Sequence, residues 1–140
     1  MAVVLGYDES PGAEAALAAA IDVAERFGEG LVLVYGAGPP GGVGEEFRAH
    51  RDALRELGQT ALGHALERAQ AAGVDTTLEV VDAKPAEALV QAAEAHDASV
   101  IVVGTAGEGP FRGAILGSTP HKLLHLSTCP VLCVPAHPHG

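Results

Sequence analysis

Tryptophan is absent from this chain, and three phenylalanines and two tyrosines are its whole stock of aromatic side chains apart from histidine, so the core is not built on stacked rings. Its bulk must come from leucine, valine and isoleucine with much alanine between them, and a hydrophobic fraction of 48% is ample for that. Basic residues are also scarce: eight Lys and Arg stand against eighteen Asp and Glu, a net charge of −10. That balance excludes a nucleic-acid partner, because neutralising a phosphate backbone takes clustered Lys and Arg. It also repels a free nucleotide at long range, so a bound phosphate would need local backbone donors and a divalent cation to hold it. Apolar runs fall far short of the roughly 20 residues that cross a bilayer, and the N-terminus has no basic stretch leading into an apolar one. A soluble, cytoplasmic protein with no membrane partner is expected. The two cysteines, Cys129 and Cys133, match no redox or zinc spacing and read as half-buried thiols in a reducing compartment.

With 140 residues the chain suits one domain, expected over 1–136, followed by a disordered Pro- and His-containing tail at 137–140. Ala2–Leu5 reads as a first strand ending at Gly6-Tyr7-Asp8. Ser10-Pro11 opens a helix whose buried face is expected to carry Leu17, Ile21, Ala24 and Phe27, with Gly28 as its stop. Leu31–Tyr35 follows as a strand, and Gly36–Gly42 is so depleted of side chains that a mobile loop is expected. A long helix spans roughly Glu45–Ala72, with Leu54, Leu57, Ala61, Ala65, Ala69 and Ala72 as its buried stripe, and Gly58 and Gly63 each weakening it by up to about 1 kcal/mol. Thr77–Val81 is a third strand, and Lys84-Pro85 starts a helix to about His96 with Leu89, Ala92 and Ala93 inward. Val100–Val103, a glycine-rich loop, a short helix from Ser118 and a last strand Val131–Val134 complete the series. Strands alternating with helices imply an α/β fold, a doubly wound, Rossmann-like parallel sheet covered on both faces.

The stretch after Val103 carries the chemistry. Glycines at 104, 107, 109, 113 and 117 lead into Ser118-Thr119 at a helix start. Amides at a helix N-terminus lack intrahelical acceptors and face an anion with the positive end of the helix dipole. Glycines let the ligand approach the backbone, and the two hydroxyls add donors. A phosphate cradle is one reading and an ordinary loop with a helix cap is the other; neither the P-loop lysine pattern nor a G-x-G-x-x-G after the first strand is present.

Gly104, two residues, Gly107, nine residues, then Gly117-Ser118 resembles the glycine pattern of the ATP-binding branch of the universal stress protein family. The opening VVLGYDESPGAEAAL is similar to that family's first strand, acidic turn and first helix, and CPVLCVP to its last strand. The resemblance covers essentially the whole chain. It implies a five-stranded sheet of order 3-2-1-4-5, whose chain reversal lies between the first and fourth strands, where doubly wound sheets bind ligands. By position, Asp8 would contact adenosine, Gly36 would meet the adenine edge through its backbone, and Gly104, Gly107, Gly117 and Ser118 would hold ribose and phosphates. Val103, Thr105 and Thr119 would be neighbouring contacts, with Ser10 either reaching a phosphate or acting as a helix cap only. The cofactor so implied is ATP, with magnesium or manganese, and the partner is a second copy joined through Val131–Val134.

The remaining candidates are weaker. His121 and His125, four apart on the last helix, have a spacing that can bind zinc, but no third ligand stands nearby, and they read as solvent-facing or interface histidines. No nucleophile elbow surrounds Ser10, Ser99, Ser118 or Ser127, so no catalytic set is assigned. The expectation is a homodimeric, ATP-binding regulator of the stress response and not an enzyme. A dimeric partner module that does not bind nucleotide, and a slow ATPase, stay open as alternatives.

Overall fold

The computed structural model describes residues 1–8, 10–38, 44–105 and 118–136. Five strands alternate with four helices: β1 (Ala2–Gly6), α1 (Pro11–Phe27), β2 (Gly30–Gly36), α2 (Glu45–Ala71), β3 (Thr76–Val81), α3 (Pro85–Ala95), β4 (Ala98–Gly104), α4 (Ser118–Leu126) and β5 (Val131–Val134). All strand pairs are parallel and the order is β3-β2-β1-β4-β5, the order expected from the resemblance. The tail at 137–140 lies outside the described residues.

Local chemistry explains most boundaries. Ser10 sits in extended backbone and its Oγ accepts from the Ala13 amide at 3.2 Å, capping α1 with Pro11 at the first helical position. Gly28 closes the same helix in the left-handed region, φ 66°, which costs glycine nothing. Pro85 starts α3 as Pro11 starts α1.

Two apolar layers sandwich the sheet. One is formed by Ala13, Ala16, Leu17, Ala20 and Ala24 of α1 and Ala61, Leu62, Ala65 and Ala69 of α2 against Val3, Leu5, Leu31 and Leu33. The other packs Ala86, Ala88, Leu89, Ala92 and Ala93 of α3 and Leu123 of α4 against Val4, Val32, Val34, Ile101 and Val103. Alternate strand residues thus serve opposite layers, so β1 and the buried part of β4 are apolar throughout. Alanine on the helix faces lets the backbones approach the sheet closely.

Some expectations about which residues are buried fail. Phe27 and Leu57 are each 61% exposed, and Ala72 is exposed. Phe27 occupies the last position of α1 and the α2 stripe runs through Gly58 and Leu62 instead. Nothing in α2 from Glu45 to Leu57 is buried. Gly58 is where that helix meets the Tyr35 ring: a Cβ there would lie 2.5 Å from the ring Cδ1, so the missing side chain makes room for the aromatic. The start of the Gly36–Gly42 loop is also packed. Ala37 is fully buried, its amide donates to the Val81 carbonyl at 2.8 Å, and the Gly38 amide donates to Ala83 at 2.9 Å. Residues 39–43 lie outside the described residues.

Candidate functional site

Parallel crossovers place the N-termini of α1, α3 and α4 at the carboxyl edge of the sheet, and there a cleft of about 330 Å³ opens. It stands at the reversal of strand order between β1 and β4, where the connections leave in opposite directions and cannot cover the gap. Its floor is apolar, with Gly6, Ala13, Val34, Leu89 and Val103. Its rim is polar, with Asp8 and Ser10 after β1, Tyr35 and Gly36 at the end of β2, Thr105 after β4, and Ser118 and Thr119 at the start of α4.

Among the residues singled out from sequence, Asp8, Ser10, Gly36, Val103, Gly104, Thr105, Ser118 and Thr119 all line this one cleft, although they come from four separate stretches of chain. Gly107 and Gly117 lie outside the described residues. Ser10 is engaged as the cap of α1, and its own amide donates to Asp8 Oδ1 at 3.0 Å, which fixes the acidic turn. Gly36 is required by close backbone approach, since a Cβ there would stand 2.7 Å from Pro85 Cα. Gly104 is required likewise: its Cβ would collide with the Gly12 carbonyl, and a Cβ on Gly12 would stand 2.6 Å from the Thr105 carbonyl oxygen. The first turn of α1 therefore rests directly on the chain leaving β4.

Residues that sequence reasoning missed are Gly12, Tyr7, Tyr35, Pro85 and Leu89. Tyr7 is buried beneath the cleft, and its hydroxyl donates to Glu14, whose other oxygen accepts from Arg68, linking α1 to α2. Tyr35 and Asp8 also border an adjoining open groove of about 700 Å³ along Ala53, Glu56, Leu57, Thr60 and Ala61 of α2. Burial, and then the negative charge of Asp8, push the Tyr35 phenol above its ordinary value.

The electrostatics of the cleft are lopsided. Asp8 supplies a carboxylate, and no lysine or arginine is among the described lining residues. Positive potential comes from backbone: by helix geometry the amides of Ser118 and Thr119 have no intrahelical acceptor, whereas Pro120 has no amide to offer. A planar apolar group suits the floor, hydroxyls suit Asp8, and an anion suits the start of α4. Among the described residues no cluster of three or more His, Cys, Asp and Glu could hold a metal, and no helix is long and apolar enough to cross a membrane. Both cysteines are free and half-buried, and burial pushes the Cys133 thiol up.

The universal stress protein family model matches residues 1–135. A universal stress protein of Thermus aquaticus, in the QAH/OAS sulfhydrylase 3' region, is 35% identical over 136 residues, covering 94% of this chain and 96% of the relative. A solved universal stress protein family structure from Burkholderia pseudomallei is 32% identical with a TM-score of 0.78, covering 96% of both chains. A universal stress protein solved in complex with cAMP is 26% identical with a TM-score of 0.76, covering 98% of each. The match along nearly the whole length joins the α/β fold and its sheet order, and this chain belongs to the universal stress protein family.

Proposed function

We propose that this protein binds an adenine nucleotide, ATP foremost, in the cleft at the carboxyl ends of β1 and β4, and acts as a homodimeric, nucleotide-responsive regulator of the stress response. The observation that carries it is the convergence of Asp8, Gly36, Gly104, Ser118 and Thr119 on one cleft with an apolar floor. The volume is within the range of small-molecule sites, at its lower end among the described residues. The relative solved with cAMP supports the same ligand class.

The residues fit such a ligand. Val34, Leu89 and Pro85 offer an apolar surface to a purine, and Asp8 can accept from ribose hydroxyls. Ser118 and Thr119 can donate to phosphoryl oxygens. Because Asp8 is the carboxylate in the cleft and no cationic side chain lines its described part, magnesium or manganese bound with the nucleotide would balance phosphate charge there. Regulation is preferred over turnover, since no described lining residue pairs a histidine or lysine with a position for an attacking water.

Calorimetric titration with Mg-ATP, AMP and cAMP tests the proposal. Asp8→Ala should weaken ATP at least tenfold, and Gly117→Val, which disrupts the glycine spacing before α4, should abolish binding in a protein that stays folded. Unchanged affinity in both variants would move the site elsewhere. The lopsided charge of the cleft favours a second reading, a dimeric partner module that has given up nucleotide. A melting temperature unmoved by millimolar ATP, AMP or cAMP would select it. Phosphate release from ATP well above background, lost in Asp8→Ala, would instead establish a slow ATPase.

A further inference from the structure

His121 and His125 were assigned no role by spacing alone, but the structure adds their separation and surroundings. Helix α4 buries Pro120 and Leu123 against the sheet, and both histidines stand exposed on another face. Their ring centres are 5.2 Å apart with the planes at 73°. Neither ring makes a hydrogen bond or ion pair among the described residues. A zinc–nitrogen bond of about 2.1 Å and about 1.2 Å from ring nitrogen to ring centre put two imidazoles on a tetrahedral ion about 5.3 Å apart, centre to centre. Two imidazoles at right angles on a square or octahedral ion would instead be about 4.6 Å apart by the same geometry. The observed 5.2 Å matches the tetrahedral value, and it also lies in the ordinary range of edge-to-face ring contacts, so it permits a shared tetrahedral ion without requiring one.

We propose that His121 and His125 form an exchangeable site for a tetrahedral divalent metal ion of the zinc class, with water in the other two positions. Imidazole is among the preferred donors for such ions. The net charge of −10 enriches cations at the surface. Two protein ligands, against three or four in catalytic and structural zinc sites, make the ion exchangeable instead of part of the fold. Ser118, His121 and His125 recur at i, i+3 and i+7, so the site continues the stripe of α4 that starts at the rim of the cleft. A bound ion ties the first turn of α4 to the second and stabilises the folded chain by binding it in preference to the unfolded one.

The test is calorimetric titration of the whole protein with zinc chloride at slightly alkaline pH, where imidazole is neutral, with nucleotide absent. Variants are His121→Ala, His125→Ala and a control with His137→Ala and His139→Ala together; far-ultraviolet circular dichroism confirms that each is folded. Zinc should bind the wild type and the tail control alike, with at least tenfold weaker binding in either α4 variant and zinc-induced melting shifts only where both α4 rings remain. Histidine ring resonances that move on titration should be those of residues 121 and 125. Absence of zinc binding at sub-millimolar concentration, or binding unaffected by both α4 substitutions, would overturn the site. Binding lost in the tail control would assign the ion to His137 and His139 and overturn it as well.

Discussion

Two glycines in one helix should respond to alanine with opposite signs. By intrinsic propensity, Gly58→Ala and Gly63→Ala in the interior of α2 should each stabilise by about 1 kcal/mol. Around Gly63 nothing lies within 4 Å of an added Cβ, so the full gain is expected there. At Gly58 the added carbon would stand 2.5 Å from Tyr35 Cδ1 and 2.8 Å from Cγ. Comfortable carbon contacts are about 3.5–4.0 Å, so the ring must be driven aside by about 1 Å. These atoms are at the base of the ring, close to the backbone of β2, and cannot swing away as a flexible tip can. Overpacking of this kind costs about 1–3 kcal/mol, which outweighs the helical gain and leaves Gly58→Ala destabilised by about 1 kcal/mol. With Tyr35→Ala in the background the obstacle disappears and Gly58→Ala should stabilise by about 1 kcal/mol, a coupling of about 2 kcal/mol. Urea unfolding followed by circular dichroism measures all five proteins. Equal stabilisation by the two glycine substitutions in the wild-type background would refute the reasoning and remove Tyr35 from its seat on α2.

Other consequences are simpler to measure. Ser10→Ala removes the oxygen that caps the Ala13 amide and should cost about 1 kcal/mol in thermal or chemical unfolding, whereas Ser10→Asp should retain most of it. Leu132, 39% exposed on the edge strand β5, is the position to probe for the proposed dimer: Leu132→Lys should give monomer by light scattering, and a persistent dimer would place the interface elsewhere. The Cys133 thiol and the Tyr35 phenol are both raised on folding, from ordinary values of 9.0 and 10.0, so the unfolded chain releases these protons first. Their contribution to stability is complete below about pH 9 and falls as pH rises through the folded values; unfolding midpoints that stay flat from pH 8 to 11 would contradict the direction of both shifts. Part of the Tyr35 shift is due to Asp8, so Asp8→Asn should lower the pH at which tyrosinate absorbance appears, and an unchanged titration would separate the two groups.

The strands and helices were legible because punctuation and periodicity agree: Ser10-Pro11, Gly28, Lys84-Pro85 and the apolar run Val100–Val103 mark ends that the backbone must respect, whereas the strand order came from the family resemblance. What periodicity does not contain is the sector of a helix that meets the sheet. Leu57 falls on the apolar stripe of α2 but lies before the first buried residue of that helix, and Phe27 ends α1 in solvent. In both helices alanine supplies most of the packed face, with Leu17 and Leu62 as the large side chains, and its hydrophobic signal is weak in sequence. The cleft was legible at strand ends and at the start of α4, since topology dictates where those positions converge. Gly12 and Gly104 show the limit. From sequence Gly12 falls in the first turn of a helix and Gly104 at the start of a ligand loop, and only the folded chain shows that their backbones touch. Gly58 is a second case, a propensity cost in sequence and a seat for Tyr35 in three dimensions.

Helix α2 is 27 residues long, about 40 Å; its buried residues begin at Gly58, and one turn earlier an ion pair from Arg55 to Asp82 at 2.7 Å ties it to the end of β3. It is a beam clamped at one end. Whole turns could be added to or removed from its outer half without displacing the strands, and unwinding could start at the tip and stop where the clamp begins. Divergence in length is therefore cheapest here, at the entrance side of the molecule, while the floor beneath stays fixed.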